Sequence, residues 1–538
     1  MVEQIEQTEW IQDQIRNKQT YLGIELGSTR IKTVLVTNDF LPIASGEHEW
    51  ENKLVEGVWT YSLEEIWQGL QQSYRLMANQ VQNKYHIELS EVGAMGFSAM
   101  MHGYLTFDKE NNLLVPFRTW RNAMTAQAEE RLTEAFQFNI PQRWSIAHLY
   151  QAMLNKEEHV GDISFFTTLA GYVHWQLTGE KVLGIGDASG MFPVDSQIND
   201  YDKKHLEHFN QLAQQEGYSI NLEDLLPRVK VAGQTSGILT QEGAYLLDPS
   251  GKLKAGIPLC PPEGDAGTGM VATNSVLPRT GNVSAGTSVF AMIVLEQPLK
   301  TVHPEIDIVT TPSGELVAMV HANNCSTEID AWVKLFKEFT QKLGLEIDTP
   351  TIYKTLFNST READLDGGGI LVYGYHSGEN ITKTPVGRPL IVRTPDSKLT
   401  LGNFMRTQLM TAFGALRIGM TILEQEGVHV DQLVGHGGIF KTPEIAQEIL
   451  AAAMKSPVTV METAGEGGAW GMAVLAAFQA FKQENPQKTL ADFLSNQVFQ
   501  SDKGQTIKPT AATIHGYDLF IQRYEKGLPI EQLAGELL

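Results

Sequence analysis

One short pattern occurs twice in this 538-residue chain and limits what it can fold into. Ile24–Leu35 reads Ile-Glu-Leu-Gly-Ser-Thr-Arg-Ile-Lys-Thr-Val-Leu, and Val283–Val294 reads Val-Ser-Ala-Gly-Thr-Ser-Val-Phe-Ala-Met-Ile-Val. In each, a glycine and two hydroxyl residues interrupt apolar, β-rich runs, the sequence form of a β-hairpin. Gly27 falls on Gly286, and Ser28-Thr29 on Thr287-Ser288. Identity is low, so the echo is structural. The second copy begins near the chain midpoint, which predicts two domains of like fold, each carrying one hairpin across a shared cleft. The expected division is 1–19 as a polar helical extension outside the fold, 20–275 as the first domain and 276–538 as the second. No long linker separates the halves.

The charge balance narrows the partners. Lys and Arg total 41 against 63 Asp and Glu, a net charge of −22. Such a chain is a poor general binder of nucleic acid or an anionic membrane. Any phosphate must be held by a few local donors. At 42% hydrophobic and 19% charged residues, the composition is globular. Cys260 and Cys325 form no CxxC pair, so neither a disulfide framework nor a zinc site is expected, and the usage fits a reducing cytosol. No apolar run approaches the ~18 residues of a membrane span, and Glu3–Lys18 lacks a signal-peptide core. The expectation is a cytoplasmic enzyme. GxxxxGK[ST], a GxGxxG opening a helix after a strand, and HExxH are all absent.

Several segments carry chemistry. Around the first turn, Gly27 lets backbone N–H groups approach phosphate oxygens, Ser28 and Thr29 add hydroxyl donors, and Lys32 adds a positive charge. Glu25 is an oxygen ligand suited to Mg²⁺, through water. Taken alone, the segment also reads as an ordinary turn; Gly286-Thr287-Ser288 in register favours phosphate. Asp265, in Gly264-Asp265-Ala266-Gly267, is either a helix N-cap or a carboxylate that accepts the proton of an attacking hydroxyl. Met101-His102-Gly103 follows a strand, where α/β proteins collect ligands. Trp120-Arg121-Asn122 offers a flat apolar face beside a guanidinium and an amide, a set suited to hydroxyl-rich substrates. Gly435-His436-Gly437-Gly438 and Gly465-Glu466-Gly467-Gly468-Ala469 are glycine-rich turns before helices, open enough to admit a purine ring.

These segments, in this order over about 21–525, resemble the FGGY carbohydrate kinases of the actin-like ATPase superfamily. Leu177-Thr178-Gly179-Glu180, Asp187-Ala188-Ser189-Gly190 and Ser377-Gly378-Glu379 belong to the same ordered set. The resemblance implies an α/β fold of two actin-like (ribonuclease H-like) domains flanking a catalytic cleft. It implies ATP and Mg²⁺, transfer of a γ-phosphoryl group to a sugar or polyol hydroxyl, and a homodimer. Asp265 matches the general base. Glu25, Gly27, Ser28, Thr29 and Lys32 match the first phosphate hairpin, and Gly286, Thr287 and Ser288 the second. Gly437, Gly438, Glu466 and Ala469 match the adenosine end. Met101 and His102 match the sugar-contacting pair of xylulokinases, and Trp120, Arg121 and Asn122 fall where sugar-binding polar residues lie.

The chain departs from the family pattern in places. Glu25 stands where Asp is usual, which adds a methylene to the Mg²⁺ ligand. Ser98-Ala99-Met100-Met101-His102-Gly103 replaces Ser-Gly-Gln-Met-His-Gly. Trp120-Arg121-Asn122 replaces Trp-Asn-Asp, exchanging a carboxylate for a cation. A ketopentose such as xylulose is the expected acceptor. Another ketose, a polyol or a sugar acid (ribulose, gluconate-like) stays open, as does a non-catalytic sugar or nucleotide sensor of the same fold.

Overall fold

In the computed structural model, which describes residues 2–461, 467–500 and 504–538, the first hairpin forms where its turn residues place it. Strand β1 (Thr20–Leu26) pairs antiparallel with β2 (Arg30–Thr37), and β2 with β3 (Pro42–Glu49). A small ribbon follows, β4 (Lys53–Val55) and β5 (Val58–Thr60). Strand β6 (Ala94–Ala99) returns parallel to β1, and Glu263–Gly264 lies parallel to β6. The sheet order is therefore Glu263–Gly264, β6, β1, β2, β3. Every residue of β6 is buried, as expected for a strand covered on both faces.

Helices cover the sheet: Leu169–Thr178 packs on β6, and two others pack over β2 and β3. Helix α1 (Val2–Arg16) precedes the sheet, and α2 (Leu63–Tyr85) follows the ribbon. Ser62 and Glu65 form a reciprocal capping box at the start of α2, a device that contributes about 1 kcal/mol. Ile66, Leu70, Tyr74, Met77 and Val81 then fall on one buried face. On the opposite face lies the helix Gly467–Glu484, apolar nearly all round as a buried helix must be. Two glycines permit its close approach. A Cβ on Gly23 would overlap the Ala469 carbonyl, and one on Gly471 the Thr268 carbonyl.

Helix α1 corrects one expectation. It is not an add-on: Ile11 and Ile15, one turn apart, are buried in the core with Leu22, Ile66 and Leu70. Gln12 Nε2 also donates to the Tyr85 carbonyl at 3.0 Å. Two apolar residues at i, i+4 suffice to dock a polar helix. Further on, a strand, Phe165–Thr167, is followed by a helix, Leu169–Thr178. The Thr168 hydroxyl accepts from the Gly171 N–H and sets the boundary.

The chain divides into two compact units. The first comprises Met1–Val276, Asp307–Val317 and Glu466–Ser501; the second comprises Leu277–Ile306, Ala318–Gly465 and Asp502–Leu538. A single cut near 275 would put the helix Gly467–Glu484 with the second half. It packs instead in the first unit, through the glycine contacts just described. In the second unit the hairpin joins Thr280–Ala285 to Val289–Val294. Thr280–Ala285 runs parallel to Gln432–His436, and Gln432–His436 parallel to Val458–Val460. Leu26 opposite Ile31 leaves a four-residue turn in the first hairpin; Ala285 opposite Val289 leaves a three-residue turn in the second. No helix among the described residues is long and apolar enough to cross a membrane.

Candidate active site

In the first unit, three parallel strands, β1, β6 and Glu263–Gly264, end at one edge of the sheet. The C-terminal edge of a parallel sheet is where open α/β folds collect ligands. Asp265 follows directly, as the first residue of the helix Asp265–Ala272. Gly264 occupies the N-cap, so Asp265 is not the cap. Its carboxylate accepts the Ala266 N–H at 2.9 Å and the N–H of Met101. Burial pushes its pKa up to about 6, against the pull of those backbone donors. The same Met101 that fixes Asp265 begins the turn after β6, where His102 and Gly103 both take left-handed backbone conformations.

His102 is buried and neutral. Its Nδ1–H donates to the Gly190 carbonyl at 2.7 Å, which leaves Nε2 to accept from Arg143 Nε at 3.3 Å. Burial, and then the charge of Arg143, depress its pKa to about 3. Arg143 is ion-paired with Asp307, which Asn139 Nδ2 also bonds at 3.2 Å. Sequence reasoning missed this group: Arg143 and Asp307 lie in no motif and meet only through the fold. The Met101 side chain packs where a Cβ on Gly190 or Gly264 would fall.

Glu25, next to last in β1, lies opposite Lys32 and beside Ser98 of β6. Its carboxylate accepts the N–H groups of Ala469 and Gly468, in the first turn of the helix Gly467–Glu484, where amides lack partners within the helix. Burial, and then the Asp265 charge, push its pKa up to about 7. A Cβ on Gly468 would overlap Glu25 Oε1. Ala469 is thus not a bare turn residue. It is fully buried and helical, with its amide on Glu25. Glu466 lies outside the described residues.

Two further carboxyl groups sit behind Asp265. Asp187 accepts from Thr168 Oγ1 at 2.6 Å, and burial, joined by the Asp265 charge, pushes its pKa up to about 7. Glu263 accepts the Asp187 N–H at 3.0 Å and is held well above the usual carboxylate range by burial. Gly184 and Gly186 leave the room its carboxyl group fills.

In the segment 120–122 the three side chains have separate settings. Trp120 is partly exposed, and Arg121 lies 4.0 Å over the Trp59 ring. Asn122 is buried, with three of its four hydrogen-bonding positions on backbone: Oδ1 accepts the Trp59 N–H at 2.9 Å, and Nδ2 donates to the Trp59 and Thr119 carbonyls at 2.8 and 2.9 Å. It braces β5. In the second unit, Gly437 has φ +110°, and a Cβ there would overlap the Ala285 carbonyl. This close approach sets Gly437 and Gly438 beside the second hairpin turn, Gly286-Thr287-Ser288. Among the described residues, no group of three or more His, Cys, Asp or Glu side chains is placed to hold a metal ion.

Residues 20–271 match the N-terminal domain of the FGGY family of carbohydrate kinases, and residues 281–480 match its C-terminal domain. The chain is 22% identical over 528 residues to a xylulose kinase of Haemophilus influenzae, covering 94% of this chain and 98% of that protein. A solved xylulose kinase from Rhodospirillum rubrum superimposes with a TM-score of 0.76 at 16% identity, covering 96% of this chain and 100% of that one. A solved gluconate kinase from Lactobacillus acidophilus does so with a TM-score of 0.75 at 14% identity, covering 96% and 99%.

Proposed function

Because the chain belongs to the FGGY family of carbohydrate kinases, whose members use ATP, we propose that it phosphorylates a ketopentose such as xylulose. In this reading Asp265 accepts the proton of the acceptor hydroxyl as its oxygen attacks the γ-phosphorus of Mg-ATP. The bond from that phosphorus to the β,γ-bridging oxygen breaks, and ADP leaves. The observation that carries the reading is the setting of Asp265. Two amides fix its carboxylate, and a pKa of about 6 leaves it ionised at neutral pH yet still basic. It shares Met101 with the turn that carries His102, so base and sugar contact are set by one peptide.

His102 stays neutral, and Arg143, ion-paired with Asp307, holds its ring in place. Met101 provides an apolar wall, and Trp120 and Arg121 line the approach. Within the first unit, Gly27, Ser28, Thr29 and Lys32 are the phosphate-binding residues of this reading; within the second, Gly286, Thr287 and Ser288 are phosphate-binding and Gly437 and Gly438 take the adenosine end. The residues fit Mg²⁺ carried in by the nucleotide. Mg²⁺ is usually held by one or two carboxylates plus substrate phosphates and water. Glu25, electrostatically coupled to Asp265, is the carboxylate that would hold it through water, and the ion would supply charge neutralisation on the phosphates.

Arg121, a cation where the family pattern has a carboxylate, favours a second acceptor class, a sugar acid or another ketose or polyol. Coupled ADP release with Mg-ATP against ketopentoses, ketohexoses, polyols and sugar acids separates them. Xylulose-dependent release supports the first reading, and a sugar acid alone supports the second. Binding of ATP without release for any acceptor would make the chain a sensor and overturn both.

A further inference from the structure

A loop that holds phosphate has an electrostatic requirement: its amides must face the ligand and its carbonyls must not. In the first hairpin, every carbonyl of the turn has a donor inside the protein. Gly27 O accepts from Trp50 Nε1 at 2.7 Å, and Ser28 O from Tyr61 Oη at 2.6 Å. Thr29 O accepts from the Trp50 N–H at 3.2 Å, and Arg30 O from the Gly27 N–H at 2.9 Å. The amides of Ser28 and Thr29 have no hydrogen-bond partner among the described residues.

The second hairpin repeats the arrangement with different parts. Gly286 O accepts from the Ser326 N–H at 3.0 Å, Thr287 O from the Cys325 N–H at 2.9 Å, and Ser288 O from the Gly286 N–H at 2.9 Å. The amides of Thr287 and Ser288 are again without a partner among the described residues. Two turns of different length and sequence therefore share one polarity. In the second the bracing donors are all backbone; in the first, two are side chains.

Those two side chains are built as a unit. The Trp50 and Tyr61 rings stack at 4.1 Å between centroids, with planes 24° apart. Tyr61 is almost wholly buried, and burial pushes its phenol up to about 12, so it remains a donor at ordinary pH. It directly follows β5, the strand that Asn122 clamps at Trp59. The peptide at the centre of a tight turn can flip, exchanging the directions of its amide and its carbonyl, as between type I and type II turns. A donor fixed on each carbonyl opposes that flip.

We propose that Trp50 and Tyr61 are positioning residues for the first hairpin: they hold the Gly27 and Ser28 carbonyls back and so keep the Ser28 and Thr29 amides turned to a nucleotide phosphate. The proposal rests on the reading of this hairpin as a nucleotide-phosphate site.

Tyr61→Phe and Trp50→Phe each keep a ring and remove one donor. Affinity for Mg-ATP and for adenosine is measured by calorimetry, with KM for the sugar and the thermal midpoint alongside. The expected result is a loss of about tenfold in Mg-ATP affinity for each variant, the scale of one hydrogen bond. Adenosine affinity and sugar KM stay within about twofold, because the brace acts only on the phosphate end. Unchanged Mg-ATP affinity in both variants overturns the proposal. So does an equal loss for adenosine, sugar and Mg-ATP with a lowered midpoint, which is general loosening. A wild-type chain that binds Mg-ATP but transfers no phosphoryl group sinks the kinase reading alone, and the calorimetry still decides this one. Failure to bind Mg-ATP sinks both.

Discussion

Asp265→Asn is the most informative single change at the site. Asparagine keeps the shape, and its Oδ1 can still accept from the Ala266 and Met101 amides, so the fold of the turn should survive. What is lost is a proton acceptor. General-base catalysis contributes about 10²–10⁴-fold, so kcat should fall about 10³-fold, near 4 kcal/mol at 1.36 kcal/mol per tenfold. Mg-ATP affinity should change little. The pH profile sharpens the test. The base works when ionised, so kcat/KM for the sugar rises with pH through about 6 and then levels. That midpoint makes about one-eleventh of the groups ionised at pH 5 and about ten-elevenths at pH 7, an increase of about tenfold. His102 cannot supply this limb, because burial holds it neutral down to about 3. Glu25 titrates close by, near 7, partly because Asp265 is charged first, so the two give coupled steps. Glu25→Gln should leave one limb near 6. The assay is steady-state ADP release from pH 5 to 9 for the wild type and both variants. Retention of more than about a tenth of wild-type kcat in Asp265→Asn, or loss of the limb near 6 in Glu25→Gln, would refute the assignment.

Three further outcomes follow from the packing. Asp187 has a folded pKa raised to about 7, so over pH 4–7 the folded state holds a proton the unfolded state has lost. Its contribution is therefore present at low pH and is lost as pH rises to 7, at about 1.4 kcal/mol per unit and of the order of 4 kcal/mol in all; Asp187→Asn should flatten that slope in urea titrations at several pH values. Asn122→Ala leaves the half-buried Trp59 backbone without its clamp and should cost about 1–3 kcal/mol in the same titrations, with little direct effect on sugar affinity. Ile11→Ala should cost about 2–4 kcal/mol, because that side chain is buried in the core of the first unit; no measurable cost would mean that α1 is not docked.

The parts of the fold legible in the sequence were the local ones. A strand, a glycine, two hydroxyls and a second strand specify a hairpin within a dozen residues, and both hairpins form. The strand before Met101 and the helix at Asp265 are equally local. Less legible were features that depend on distant partners. Asn122 looks like a sugar ligand because an amide beside Trp and Arg suits a sugar; only the fold brings in the Trp59 backbone that occupies it. Ala469 looks like part of a glycine-rich turn, yet it lies inside a helix with its amide on Glu25. The first unit's claim on that helix depends on Gly23 and Gly471 permitting close approach, which no periodicity announces. Arg143, Asp307 and Glu263 were passed over because a single charged residue in an unremarked segment carries no signal until burial makes it costly.

The central claim is transfer of a phosphoryl group to a sugar, and it is most directly tested by following the γ-phosphate itself. ATP labelled in its γ-phosphoryl group is incubated with the protein, Mg²⁺ and the acceptor that gives ADP release, and the products are separated. The account predicts that the label appears on the sugar in equal amount to ADP, and that none is released without sugar. Label recovered as inorganic phosphate at the same rate with or without sugar would contradict it.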